Sequence, residues 1–221
     1  DKPIVFDVDR IRDGRSFSTR RVRAIQDGEA IFNSSISFQK REKGVNHQIS
    51  MPDTPGPEGL LNEWQHREKI SHKVDKKYLP VFLREREIEM RPVEPQDFLN
   101  PQKAPPYKNT WMKPDGVMPK DEKIHQALLL YASDMGLIGT ATNPHGLNFM
   151  SPYLQSASLD HATWFHSKLD FSDWLLHSID SPISGNARGF SRGSIYNKKG
   201  KLVASCVQEG LIRVWDTPKP K

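Results

Sequence analysis

Polar and apolar residues alternate through the first forty positions, which is the pattern of strands that bury one face. The alternation is loose over residues 4–9 and more regular over residues 16–25 and 30–38. Residues 26–28 read Gln-Asp-Gly, and a short segment of this kind between two strands is typical of a hairpin. We therefore predict three strands in this part of the chain.

The pattern changes between residues 39 and 119, where long apolar runs are missing. Residues 51–57 and 100–106 are rich in proline, which removes backbone donors and favours loops. Residues 58–72 are polar and favour a short exposed helix. The whole stretch is predicted to cross the surface as a linker between two parts that each have a core.

Residues 122–142 give the strongest helical signal in the chain. Asp121 is placed to cap this helix, and Glu122 is favourable in its first turn. Residues 127–132 are apolar on almost every side, so we expect the helix to be buried on most sides. The sequence Asn-Pro-His-Gly at residues 143–146 should end it.

Four further strands are predicted after this helix, at residues 155–165, 174–180, 187–196 and 202–215. A turn at residues 197–200 joins the last two. One buried helix followed by an antiparallel sheet would make a complete unit.

The two ends of the chain also share a strand–turn–strand pattern. Residues 20–36 and 192–208 align without a gap, and Gly28 falls on Gly200. Because hairpins are common, two unrelated hairpins would give the same match. If the repeat is real, the first unit has only its later strands, and its helix and first strand would lie before Asp1.

Composition limits the kind of protein further. The chain has 221 residues, 36% of them hydrophobic, which suffices for a core; no apolar run reaches the roughly 20 residues of a membrane span. The single cysteine, Cys206, excludes an intrachain disulfide framework and a multi-cysteine zinc site. The net charge is +5, but acidic residues are mixed among the basic ones, so we expect a solvated surface and no nucleic-acid partner. With no signal peptide visible, an intracellular, non-secreted protein is expected.

Five short segments carry a family resemblance when they are taken together. They are RDGRSF at 12–17, LYASD at 130–134, SLDHATWFH at 158–166, ARGF at 187–190 and VASCVQEG at 203–210. In order and spacing they resemble the motifs of the acyl-CoA thioesterase II family. The resemblance runs over nearly the whole chain.

The resemblance implies an α+β double hot-dog fold, in which an antiparallel sheet wraps around a central helix in each unit. Residues 1–39 would be the later strands of an N-terminally truncated first unit. Residues 40–80 would be a linker, and residues 81–221 the second unit with the active site. The first sheet would then expose apolar residues such as Ile31 or Phe32, and the chain alone is expected to self-associate.

The resemblance also implies an active-site trio of Asp134, Ser158 and Gln208. A carboxylate in an apolar helix is costly unless it is paired or needed; the alternative is a structural Asp134 that bonds nearby backbone at the end of the helix. Taken alone, Ser158 would be an exposed strand residue; relatives often have threonine there, and either hydroxyl can donate and accept. Gln208 interrupts the apolar order of residues 202–212, and a solvent-facing glutamine is its simplest alternative.

The implied activity is hydrolysis of acyl-CoA to free fatty acid and CoA, with no cofactor, metal or covalent intermediate. Asp134 would act as general base on a water, while Gln208 and Ser158 would fix that water or donate to the oxyanion. A non-catalytic acyl-CoA-binding protein is the alternative. A hot-dog enoyl-CoA hydratase is a third possibility, but it needs a catalytic Asp/His pair that the sequence does not reveal.

Acyl-CoA is the expected binding partner, and a homo-oligomer of double hot-dog units the expected assembly. Relatives in the family occur in peroxisomes and in the cytosol. The sequence ends in Pro-Lys-Pro-Lys and lacks the Ser-Lys-Leu peroxisomal address, so either compartment stays open.

Three other motifs invite a functional interpretation that we reject. Ser191 lies in a G-x-S-x-G pattern, but the predicted strand continues to Tyr196 and no helix follows, as a nucleophile elbow requires. His161 and His166 look like metal ligands, yet their odd spacing would place them on opposite faces of a strand. They are predicted to be core and cross-strand bonding residues. Cys206 is predicted to be a small buried hydrophobe with no histidine partner.

Overall fold

A computed structural model describes residues 2–217, which divide into two compact units between His47 and Gln48. The strands are β1 (Val5–Asp13), β2 (Phe17–Gln26), β3 (Glu29–Gln39), β4 (Ile88–Pro92), β5 (Tyr107–Pro114), β6 (Leu154–Ser158), β7 (Ala162–Phe165), β8 (Leu175–Gly185), β9 (Arg188–Asn197) and β10 (Leu202–Val214). The helices are α1 (Glu63–Ile70), α2 (Leu79–Phe82), α3 (Glu122–Ser133) and α4 (Leu137–Thr142), with 3₁₀ turns at Ser71–Lys73 and Asn143–His145. Within this part of the chain, no helix has the length and apolar character needed to cross a membrane.

The first unit is a three-stranded antiparallel sheet in the order β1-β2-β3. Asp27 and Gly28, both with positive φ, form the tight turn between β2 and β3 that the sequence predicted. Phe6, Ala24 and Phe32 lie opposite one another across the three strands and therefore on one face. Phe6 and Phe32 are more than half exposed, so this face presents an apolar surface.

The second unit is a seven-stranded antiparallel sheet in the order β4-β5-β8-β9-β10-β6, with β7 also paired to β10. Side chains alternate between its two faces. Met112, Leu175 and Ile195 pack with Leu129 of α3 in the largest core cluster. Their neighbours Trp111, Leu176 and Tyr196 form a separate cluster that includes Met51 and Leu60.

The segment from Gln48 to Leu60, within the predicted linker at residues 40–80, packs against the second sheet without being part of it. Gln48 exchanges hydrogen bonds with the backbone of Gly200 (2.8 Å) and Leu202 (3.1 Å). The indole of Trp111 donates to the carbonyl of Pro55 at 2.8 Å. Backbone without regular structure is fixed here by donors from the sheet below it.

Helix α1 begins at Glu63, later than the predicted start at residue 58. Asn62 and Gln65 form a capping box, in which each side chain accepts from the backbone N–H of the other residue. The predicted helix is thus present but shorter, and it is only partly exposed, since Arg67 is buried.

The long helix predicted for residues 122–142 is wrong in two respects. It breaks after Ser133 because Gly136 adopts a left-handed conformation (φ +95°), which ends α3 and begins α4. It is also not buried on most sides, since Leu130 and Tyr131 are about half exposed. Asp121 does cap α3, accepting from the N–H of Lys123 at 3.0 Å.

The strand predicted for residues 155–165 is also interrupted. Leu159 and Asp160 both donate their N–H groups to the carbonyl of Glu209, and β6 and β7 lie on either side of this point. Such an irregularity is a bulge, which turns a side chain to a new direction. The sequence also failed to predict β4 and β5, which lie in the stretch interpreted as a connection.

The repeat predicted from the sequence extends over three strands. β1, β2 and β3 follow the same order as β8, β9 and β10. The β1–β2 register shifts between Asp9 and Arg12, and the β8–β9 register shifts between Asp180 and Ile183, an equivalent place. A shared irregularity of this kind is not expected of two unrelated hairpins.

Candidate active site

The predicted trio converges on one cavity of the second unit. Gln208 lies on β10 and donates from Nε2 to Oδ1 of Asp134, at the end of α3. The carboxylate can only accept, so the amide nitrogen must face it. Ser158, at the end of β6, lines the same cavity of about 390 Å³.

Helix α4 approaches the sheet closely, and this approach places Asp134 beside Gln208. A Cβ added at Gly210 would lie 2.7 Å from Ile138, and one at Gly189 would lie 2.7 Å from Ala141. Both glycines are therefore required where α4 lies on β9 and β10.

The place of Asp134 in an apolar helix had suggested a buried side chain, but the side chain is not buried. Asp134 occupies the C-terminal cap of α3, and 54% of its side chain is exposed. Its Oδ1 atom is held by Gln208. Within residues 2–217 no protein hydrogen bond is made to its other oxygen, Oδ2. A half-exposed carboxylate with one oxygen fixed can act on a substrate or a water.

Gln208 is 1% exposed, so the solvent-facing alternative is wrong. Its side chain points inward because β10 alternates over this stretch, with positions 206, 208 and 210 buried. While Nε2 donates to Asp134, Oε1 is buried without a hydrogen-bond partner among the described residues. A buried acceptor left unpaired costs about 1–3 kcal/mol, so it is a candidate for a functional contact.

Ser158 is exposed and lies opposite Gly210 in the β6–β10 ladder. Gln208 is two residues before Gly210 on β10, so the hydroxyl and the amide are close along the same strand pair. The chain bulges directly after Ser158, which leaves the serine at the rim of the cavity.

His161 is a site residue that the sequence analysis missed, because it was assigned to a strand. It precedes β7 in the bulged segment, and its Nδ1 lies 4.0 Å from Oδ1 of Asp134. Its Nε2 lies 2.9 Å from Oγ of Ser133 and 3.1 Å from Oγ1 of Thr163. Burial lowers the pKa of His161, and the carboxylate of Asp134 partly opposes that effect. Its place in the same short motif as Ser158 was the one available signal.

The other candidate motifs have structural roles. Ser191 lies within β9 and donates to the carbonyl of Leu137 at 2.8 Å, so it is not at a nucleophile elbow. His166 makes the expected cross-strand bond, 2.9 Å from Oγ of Ser205. Cys206 is buried as predicted.

The prediction that Cys206 has no histidine partner is wrong. Its Sγ lies 3.4 Å from Nε2 of His177. Burial raises the pKa of Cys206 to about 12 and lowers that of His177 to about 3, so both groups are neutral. A neutral buried thiol is not a nucleophile.

The cavity has an apolar wall and a charged wall. The apolar residues that line it are Met90, Phe98, Met135, Ile138, Leu147, Phe149 and Leu154. The basic ones are His66, Arg67, Arg86 and Lys108, with Glu63 among them. Arg67 is buried and bonded to the carbonyls of Glu63 and Phe82, so it supports the wall.

Comparisons with known proteins identify the family of this chain. Residues 80–211 match a family model described as acyl-CoA thioesterase, and residues 1–39 match the acyl-CoA thioesterase N-terminal domain. A protein of Haemophilus influenzae named acyl-CoA thioesterase 2 is 38% identical over 211 residues, which cover 96% of this chain and 74% of the relative.

Solved structures also resemble this chain. The crystal structure of an acyl-CoA thioesterase II from Mycobacterium marinum is 36% identical, with a TM-score of 0.75 over 96% of this chain and 75% of that one. A protein of Alicyclobacillus acidocaldarius described as having a hot-dog fold is 17% identical, with a TM-score of 0.70 over 96% and 73%. The fold is thus an α+β hot-dog fold, as the resemblance implied. The chain belongs to the acyl-CoA thioesterase II family.

Proposed function

We propose that this chain hydrolyses acyl-CoA thioesters to a free carboxylic acid and CoA, with Asp134 activating the attacking water. The observation that carries the proposal is the bond from the buried Gln208 amide to a half-exposed carboxylate, beside a cavity that Ser158 also lines. The relative named acyl-CoA thioesterase 2 supports the choice of substrate.

In the proposed reaction the water oxygen attacks the thioester carbonyl carbon, and Oδ2 of Asp134 accepts one of its protons. The tetrahedral intermediate then collapses, the carbon–sulfur bond breaks, and the electron pair leaves with sulfur. The proton on Asp134 passes to the CoA thiolate. The carboxylate is restored, and the products are the acid and free CoA.

Gln208 and Ser158 have separate tasks in this scheme. Nε2 of Gln208 fixes Asp134 through Oδ1, which leaves Oδ2 for the water. The Ser158 hydroxyl is a donor at the cavity rim for the developing oxyanion. The apolar wall, with Ile138 and Leu154 near the trio, would take the acyl chain.

We also propose the division of the chain that the resemblance implies: later strands of a first hot-dog unit at 1–39, a linker at 40–80 and the catalytic unit at 81–221. The ranges of the two family models support it. Assembly into a homo-oligomer is part of this proposal, and the apolar face that carries Phe6 and Phe32 supports it.

The contact between Asp134 and His161 favours one other candidate, the hydration of enoyl-CoA, because such a reaction needs an Asp/His pair. Two features argue against it. Nε2 of His161 is engaged by Ser133 and Thr163, and 18% of the His161 side chain is exposed, so the ring is poorly placed to reach a substrate. The products also differ, since hydration leaves the thioester intact.

The test is release of free CoA from a series of saturated acyl-CoA esters and one trans-2-enoyl-CoA, followed with a thiol-reactive dye. The only cysteine, Cys206, is 1% exposed and has a pKa raised to about 12, so the protein contributes little background. Loss of enoyl absorbance without release of thiol would instead show hydration. Binding without either signal would show a non-catalytic acyl-CoA protein.

The Asp134→Asn variant is expected to fold and to lose turnover by a factor of about 10² to 10⁴, the usual contribution of a general base. Asp180→Asn is the matched control, because Asp180 pairs with Arg192 on the exposed part of the sheet. Ser191→Ala should also keep its turnover. Near-normal hydrolysis by Asp134→Asn, or loss of it in a folded Ser191→Ala, would reject the mechanism.

A further inference from the structure

The bulge after β6 places the His161 imidazole next to Asp134, the candidate base. Its Nε2 edge is fixed by two hydroxyls, Ser133 at 2.9 Å and Thr163 at 3.1 Å. Its Nδ1 edge is buried and has no hydrogen-bond partner among the described residues. The carboxylate of Asp134, 4.0 Å away, is the polar group that this edge faces.

The two neutral tautomers of His161 are not equivalent in this setting. A proton on Nε2 would leave the Nδ1 lone pair buried, unpaired and directed at a carboxylate, which is unfavourable. A proton on Nδ1 instead directs a donor toward Asp134, and Nε2 can then accept from the Thr163 hydroxyl, while the Ser133 hydroxyl donates to the carbonyl of Leu130 at 2.9 Å. This arrangement pairs Nε2 and turns the Nδ1–H toward a negative charge.

The other ionisable groups near His161 do not compete for this proton. Asp160 accepts the N–H of Glu209 at 2.8 Å. His177 is neutral, since burial lowers its pKa to about 3, and its Nε2 faces Cys206. Asp134 is therefore the charged group with which an Nδ1–H of His161 can interact.

We propose that His161 is a positioning residue for Asp134: it carries its proton on Nδ1 and holds the carboxylate in the orientation that the reaction needs. The proposal rests on the hydrolytic function proposed above. Gln208 and His161 both face Oδ1, so together they leave Oδ2 directed to the water. The 4.0 Å separation is longer than a hydrogen bond and should shorten when substrate excludes water.

Two substitutions separate this role from simple packing. The amide nitrogen of asparagine can take the place of Nδ1, whereas that of glutamine takes the place of Nε2. His161→Gln keeps the contact to Ser133 and Thr163 but removes the donor to Asp134, so kcat should fall about 10- to 100-fold with little change in KM. His161→Asn keeps that donor and should retain most of the wild-type kcat.

The difference between the two variants is a readout that a packing role would not move, because both replace the imidazole ring with an amide. Equal losses in both variants, or no loss in His161→Gln, would overturn the proposal.

Nitrogen NMR of the imidazole tests the proposal without relying on activity or on the folding of a His161 variant. The wild-type His161 ring should carry its proton on Nδ1, although free neutral imidazole side chains prefer Nε2. Asp134→Ala should weaken that preference. A ring protonated on Nε2 would overturn the role of His161, whereas absence of turnover in the wild type with an Nδ1–H ring would reject the hydrolytic function alone.

Discussion

Replacing Gln208 with methionine should separate the stability of the site from its activity. Methionine has nearly the length of glutamine but offers no strong donor or acceptor. Gln208 is 1% exposed, and its Oε1 is unpaired among the described residues. The substitution removes this unpaired acceptor and also the donor to Asp134.

The two losses change the free energy of unfolding in opposite directions and by different amounts. Removing a buried unpaired acceptor should relieve about 1–3 kcal/mol. Losing the bond to Asp134 should cost less than that, because its side chain is 54% exposed and water can replace the amide. The net expectation is a variant that is about 0–2 kcal/mol more stable, or a Tm raised by about 0–8 °C for a unit of this size.

Activity should move in the opposite direction. Asp134 would no longer be fixed by the Gln208 amide, so kcat should fall about 10²- to 10³-fold. The assays are thermal melting and acyl-CoA turnover on the same preparations. Gln155→Met is the matched control, because Gln155 lies on β6 and pairs with Arg213 outside the trio. A Gln208→Met protein with a clearly lower Tm, or with normal turnover, would refute the reasoning.

Two further predictions concern packing. Gly193→Ala should destabilise the second unit by about 1–3 kcal/mol, measured by urea unfolding, because the added methyl overlaps Nε2 of His177 and would lie 2.6 Å from Sγ of Cys206. Gly139→Ala is the control, because a Cβ added there has nothing within 4 Å. Equal effects of the two substitutions would contradict the prediction. Phe32→Lys places a charge in the exposed apolar face of the first sheet, so light scattering should show less self-association than in the wild type. A wild-type chain that stays monomeric at high concentration would count against that expectation.

The sequence predicted most of the strands and the start of α3, because these depend on local patterns. Asp121 caps the helix as expected, and the Gln-Asp-Gly turn at residues 26–28 forms a tight hairpin. The trio came from a resemblance of motifs, and Asp134 and Gln208 are indeed in contact. Periodicity alone would have left Gln208 as a surface residue.

The missed features depend on partners that a local pattern does not contain. β4 alternates buried and half-buried positions, but it is five residues long and ends in a proline. It was therefore interpreted as part of a connection. The break at Gly136 was missed although it has a local signal, since a glycine after a helical run is a known stop signal. The bulge that directs His161 to Asp134 arises from bonds to the Glu209 carbonyl on β10, nearly fifty residues further along the chain.

These missed contacts bear on how Asp134, the proposed base, can be exposed and still have a fixed orientation. A buried carboxylate would be costly to ionise, and a fully solvated one would have no fixed orientation. Here the Oδ1 side faces two buried polar groups, the amide of Gln208 and the ring of His161, and each of these retains one unpaired buried atom among the described residues. Unpaired buried groups lower stability, and their concentration around one half-exposed carboxylate is expected where a fold has been shaped for a reaction more than for stability. The orientation of Asp134 is thus fixed from inside the unit through Oδ1, which in the proposed mechanism leaves the other oxygen for the water.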